Sequence, residues 1–198
     1  MAGIIGFLSR AGPRAAPGAR FDAIFVFAGG QARKELGAAA WRRGDAPVLV
    51  VSVARFEWRR YALLGLPGFE ALRAAVDRVP PPKRHFYVVL ERGDARVAVL
   101  SVAVHRFGTR NEARALFALA RERGWNSILA ISSEFHLRRV ALVLERSFEG
   151  SGTALAYAAP APGADPHGPG RWWRTRRGIR LVLTEVVKLG TYAAFLGP

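Results

Sequence analysis

Residues 126–148 read NSILAISSEFHLRRVALVLERSF. The first part, SILAI at 127–131, is a short apolar strand, and it runs straight into a helix over 134–148. A strand feeding directly into a helix is the repeating unit of an open α/β sheet. The joint between them presents unpaired backbone N–H groups and the positive end of a helix dipole. Open α/β proteins use that place for ligands, often anionic ones. Here the joint holds Ser132, Ser133, Glu134, Phe135 and His136, with Arg139 one turn further on.

Outward from this stretch the same alternation repeats. Residues 21–28 (FDAIFVFA) and 46–52 (APVLVVS) are near-continuous apolar runs, the mark of strands buried in a parallel sheet. Gly29 and Gly30 end the first, and a helix is predicted over 31–43. Residues 57–77 read as helical, broken near Leu66-Pro67-Gly68. Three prolines at 80–82 form a stiff spacer. Residues 85–90 and 96–104 then flank a turn-like cluster at 91–95, read as a hairpin or as one strand preceded by a small insertion. A helix over 109–123, a last strand over 153–159, a Pro/Gly loop over 159–171 and a closing helix over 172–195, weakened at Gly178 and Gly190, complete the chain. The pattern predicts an α/β fold: a three-layer sandwich with a mostly parallel sheet, helices on both faces and room for a β-hairpin insertion. Residues 21–198 are expected to form one domain after a flexible segment at 1–20 that is rich in Gly, Ala, Pro and Arg.

Composition narrows the chemistry. Half of the 198 residues are hydrophobic, which suffices for a sizeable core and excludes overall disorder. The net charge is +15, from 30 basic and 15 acidic residues, and only Lys34, Lys83 and Lys188 among the basic ones are lysine. So lopsided an arginine share fits a GC-rich coding bias as well as selection for an anionic small ligand, an anionic membrane surface or nucleic acid. Nucleic acid has charge alone in its favour. Cysteine is absent, so thiolate catalysis, disulfides and cysteine-ligated metals are excluded. Residues 1–10 are apolar but lack a basic region ahead of them, a poor secretory signal. The most apolar long stretch, 179–196, carries Arg180, Glu185 and Lys188, against a spanning helix. The expectation is a cytoplasmic protein, with peripheral membrane contact as an option.

Four places hold residues able to carry chemistry. At the first, Ser133 as N-cap would satisfy an N–H of the first turn, and His136 and Arg139, three apart, would share a helix face. Arg139 could grip a phosphate or carboxylate, and His136 could transfer a proton, so His136 is the candidate catalytic residue. A capped helix whose histidine merely packs is the alternative. At the second, Gly29 and Gly30 would let a ligand approach backbone N–H groups beside Gln31 and Arg33, although the spacing is not the dinucleotide fingerprint. At the third, Thr109 and Glu112 match a capping box, which explains both; Glu112 as a base is the competing role, and Asn111 is left to face a ligand. At the fourth, residues 171–180 hold five arginines beside Trp172 and Trp173, a composition that suits covering the sheet, an interfacial anchor or base stacking. His85, His105 and His167 show no metal-ligand spacing. Neither a nucleophile elbow nor a Walker A loop is present.

Three segments in order, residues 21–30 (FDAIFVFAGG), 108–113 (GTRNEA) and 131–139 (ISSEFHLRR), resemble the YdcF/SanA/ElyC family, a domain family of unknown function. The resemblance spans about 21–159. It implies a Rossmann-like domain with these segments lining one cleft, a setting in bacterial envelope biogenesis, and S-adenosylmethionine as a possible cofactor. Departures from the family pattern are Ser52-Val53-Ala54 in place of a Ser-Gly-Gly turn, the reversed Asn111-Glu112 pair, and Phe135 in place of a tyrosine. The leading expectation is an anionic small-molecule site, for a nucleotide-like or lipid-linked phosphate. It would be built from Gly29, Gly30, Gln31, Arg33, Ser52, Thr109, Asn111, Glu112, Ser132, Ser133 and Arg139. The rival is a non-catalytic envelope-associated binding or scaffold protein acting through its basic surface.

Overall fold

Strand β1 (Ala23–Val26) is buried at all four positions, and both of its edges are paired. A computed structural model describes residues 8, 12–93, 96–104, 108–161, 163–164 and 172–195. On one side β1 runs parallel to β2 (Val48–Ala54), and beyond β2 lie β3 (His85–Glu91) and β4 (Val97–Ser101), each antiparallel to its neighbour. On the other side β1 pairs in parallel with β5 (Ser127–Ile131), which pairs in parallel with β6 (Ala154–Ala158). The order is β4-β3-β2-β1-β5-β6. The hairpin reading of 85–104 therefore holds; Leu100 and Ser101 on the outermost strand are exposed, as an edge allows.

The fully apolar strands are buried because helices cover both faces. Helix α1 (Gln31–Arg43), the single turn α2 (Trp58–Tyr61) and α3 (Phe69–Asp77) pack on one face, against Ile24, Val26, Leu49 and Val51. Helices α4 (Gly108–Arg123) and α5 (Leu137–Ser147) pack on the other, against Phe25, Val50 and Ala130. The chain is thus a three-layer, Rossmann-like α/β sandwich. Helix α6 (Arg176–Phe195) lies outside α5, where Val182 and Leu189 meet Phe135 and Leu8 in a small third cluster. No helix among the described residues is long and apolar enough to cross a membrane.

Helix α1 approaches β1 closely because Gly37 lacks a side chain: a Cβ there would lie 2.2 Å from Val26 Cγ2. Gly37→Ala is expected to cost about 2 kcal/mol by overpacking, read as a lower urea midpoint with an unchanged slope.

Several local expectations are corrected. Residues 12–20 are not a free tail. Arg14 bridges to Tyr157, the Ala15 N–H donates to Tyr157 O (3.2 Å), and the Tyr157 N–H donates to Pro13 O (3.0 Å). This segment satisfies the open edge of β6, and prolines suit an edge. Past β5, a 3-10 turn (Glu134–His136) precedes the α-helix, which begins at Leu137. The closing helix begins as a separate 3-10 turn (Trp172–Arg174). Gly178 permits this, since a Cβ there would sit 2.2 Å from the Trp172 carbonyl oxygen. His105, His167, Arg171 and most of the 159–171 loop lie outside the described residues.

Connections leave β1 toward β2 on one side, while β5 flanks it on the other, so the chain changes direction between β1 and β5. The crevice at the carboxyl ends of strands at such a point is where open α/β sheets bind ligands.

Candidate functional site

The three turns at this edge are fastened to one another. Glu112, buried on α4, reaches across to the end of β1 and accepts the Ala28 N–H (2.9 Å) and the Ser52 hydroxyl (2.7 Å). His85 Nε2 is 2.8 Å from Ser52 Oγ and 3.7 Å from Glu112. The Ser52 hydroxyl has one hydrogen, given to Glu112, so His85 must donate to Ser52. A nucleophilic serine would donate to its histidine; this one does not, and it is fully buried. Burial pushes the Glu112 carboxyl up, but His85, the Ala28 N–H and Ser52 outweigh it and hold the carboxyl below its ordinary value. This corrects the capping-box expectation: Glu112 ties α4 to β1 and β2, and Thr109 accepts a hydrogen bond from Arg139.

Arg33 lies across the turn after β1. Its guanidinium donates to Ala28 O (2.7 Å) and Ser133 Oγ (3.0 Å), with Ser132 Oγ at 3.4 Å. Gly29 has φ +139°, and a Cβ there would lie 2.6 Å from the Arg33 Cζ, so glycine is required on both counts. Ser133 therefore joins β5 to the β1 turn through Arg33. It makes no side-chain cap, which corrects its expected role.

Arg139 and His136 meet as spacing predicts, with Arg139 Nη2 3.2 Å from His136 Nδ1. Both turn to α6. Glu185, 2% exposed, takes Arg139 through Nε (2.9 Å) and Nη2 (3.2 Å) and lies 2.8 Å from His136 Nδ1. Burial would raise the Glu185 carboxyl; the His136 hydrogen bond and charge, with Arg139, hold it at about 2. Burial lowers the His136 imidazole, Glu185 opposes this, and Arg33 and Arg139 lower it further, with a net shift below its ordinary value. A neutral His136 donating Nδ1–H to Glu185 keeps Nε2 as an acceptor. The anion expected on Arg139 is thus supplied from within the chain.

An open cavity of about 280 Å³ lies beside these contacts, between the β1–α1 turn and the turn after β2. Gly29, Gln31 and Lys34 line one side, and Phe56, Glu57, Arg59 and Arg60 the other. Lys34 is buried and bonded to Glu57 at 2.5 Å; burial lowers its pKa, and Glu57 partly restores it. Arg59 and Arg60 are exposed, with Arg59 over the Phe56 ring at 5.8 Å. Gln31 Nε2 is buried without a hydrogen-bond partner, as is Asn111 Nδ2. Helix α1 has Gly30 at its N-cap, so no side chain caps it, and no acidic residue stands in its first turn. This rim suits a negative group. It does not fit S-adenosylmethionine: Glu57 is the one carboxylate among the described residues of the lining and is already bonded to Lys34, which leaves no anion for the sulfonium and ammonium.

Of the expected residues, Gly29 and Gln31 line the cavity; Arg33, Ser52, Thr109, Glu112, Ser132, Ser133, His136 and Arg139 form the bonded layer described above. Sequence reading missed Lys34, Phe56, Glu57, Arg59, Arg60, His85 as a partner of Ser52, and Glu185. Only Glu185 had a signal: its phase with Val182, Leu189 and Tyr192 puts an acid on the inner stripe of α6. No family model matches the chain, and no curated protein or solved structure does.

Proposed function

We propose that the chain binds an anionic small molecule, a nucleotide-like or lipid-linked phosphate, at the carboxyl edge of its sheet. The observation that carries this is the cavity where the uncapped start of α1, Gln31 and the pair Arg59–Arg60 converge. Two arginines give a phosphate charge-assisted hydrogen bonds, and the α1 N–H groups add more. The bonded layer beneath, Glu112 and Arg33, fixes the β1–α1 turn, and the Glu57–Lys34 pair ties the turn after β2 to α1. The resemblance to the YdcF/SanA/ElyC family rests on 21–30, 108–113 and 131–139, which include the β1–α1 turn but not the turn after β2, and it supports envelope biogenesis as the setting. His136 lies in that bonded layer, against Glu185 and Arg139, and does not line the cavity.

Calorimetric titration with inorganic pyrophosphate and with ADP tests the reading. The wild-type chain is expected to bind at least one. Arg59→Glu combined with Arg60→Glu, both exposed and neutral to folding, is expected to weaken binding at least tenfold, since each charge-assisted contact is worth about 1.5–3 kcal/mol. Absence of binding to both probes, or equal affinity in the variant, overturns it.

A further inference from the structure

Helix α6 has a second apolar face that the fold does not use. Its inner stripe, Val182, Leu189 and Tyr192, is buried against the domain. On the outer side Ile179 is 39% exposed, Leu183 59%, Val186 37% and Val187 68%. These four recur at helical spacing and make one continuous stripe. Arg176, Arg177 and Arg180, all exposed, lie at the N-terminal end and along one flank, and Trp173, also exposed, stands just before them. The helix is too polar to span a bilayer.

We infer that this face of α6 docks on an anionic lipid surface, lying in the plane of the headgroups. An apolar stripe flanked by arginine and led by tryptophan is the composition of an interfacial helix. Charge complementarity selects this occupant over a second copy of the chain. A two-fold contact would set the patch against itself on molecules that each carry a net charge of +15, with nothing among the described residues of the patch to neutralise Arg176, Arg177 and Arg180. An anionic bilayer accepts both the stripe and the charge.

Flotation of the full chain with phosphatidylcholine vesicles, and with phosphatidylcholine–phosphatidylglycerol vesicles, provides the test. Binding is expected only to the mixed vesicles and should fall as salt rises. Arg176→Glu with Arg177→Glu and Arg180→Glu is expected to weaken it roughly a hundredfold or more. Leu183→Gln with Val187→Gln, which leaves the charge pattern in place, is also expected to abolish it. Thermal melts matching wild type establish that the exposed substitutions spare the fold. Wild-type binding by Leu183→Gln/Val187→Gln would reduce the interaction to bulk charge and overturn the proposal. So would a wild-type dimer that this variant converts to monomer without any vesicle binding.

Discussion

Replacing Glu185 by alanine is expected to destabilise the fold by about 4 kcal/mol, because it strands a buried guanidinium that nothing else neutralises as closely. Arg139 sits 9% exposed against this carboxylate, with Thr109, His136 and the Tyr192 ring as its other neighbours. Glu185→Gln keeps the shape and one acceptor and should lose somewhat less. Urea unfolding at neutral pH checks both. The pH dependence has a defined sign. The ionised carboxylate stabilises the fold, so its contribution is complete above 4.5 and is lost as pH falls toward about 2. A carboxyl held that low is worth about 3 kcal/mol at neutral pH. His136 adds a second window: the fold prefers the neutral ring, so stability declines as pH drops below 6.5. Glu185→Gln should flatten the acid limb below pH 4.5.

Glu112→Ala carries the second large effect, about 3 kcal/mol, since one oxygen serves both the Ala28 N–H and the Ser52 hydroxyl in a dry environment. The loss should be felt at a distance from α4. The turn after β1 would lose its tether, so amide exchange at Gly29 through Gln31 should accelerate even under conditions where the domain stays folded. Glu112→Gln retains an acceptor for Ala28 and should recover part of the protection. Unchanged exchange in Glu112→Ala would show that the turn is held by Arg33 alone.

The sheet was legible because its strands are apolar on both faces, a property written locally in 21–28 and 127–131. The hairpin at 85–104 was legible from its turn cluster. The bonds at the edge were not. Thr109 and Glu112 satisfy a local capping pattern, yet in the fold a buried backbone N–H at Ala28 and the Ser52 hydroxyl claim the carboxylate. Ser133 similarly looks like a cap and instead meets Arg33, 100 positions away. Arg59 and Arg60 read as two arginines among many. Only the crossover that sets the turn after β2 beside α1 gives them a cavity to line.

The most direct measurement is a backbone amide NMR titration of the full chain with inorganic pyrophosphate. Saturable shifts centred on Gly29, Gly30 and Gln31, and lost in Arg59→Glu/Arg60→Glu, are the predicted result. Shifts that never saturate, or that cluster around Arg110, Arg114 and Arg146 on the far side of the sheet, would contradict an anion site at the carboxyl edge.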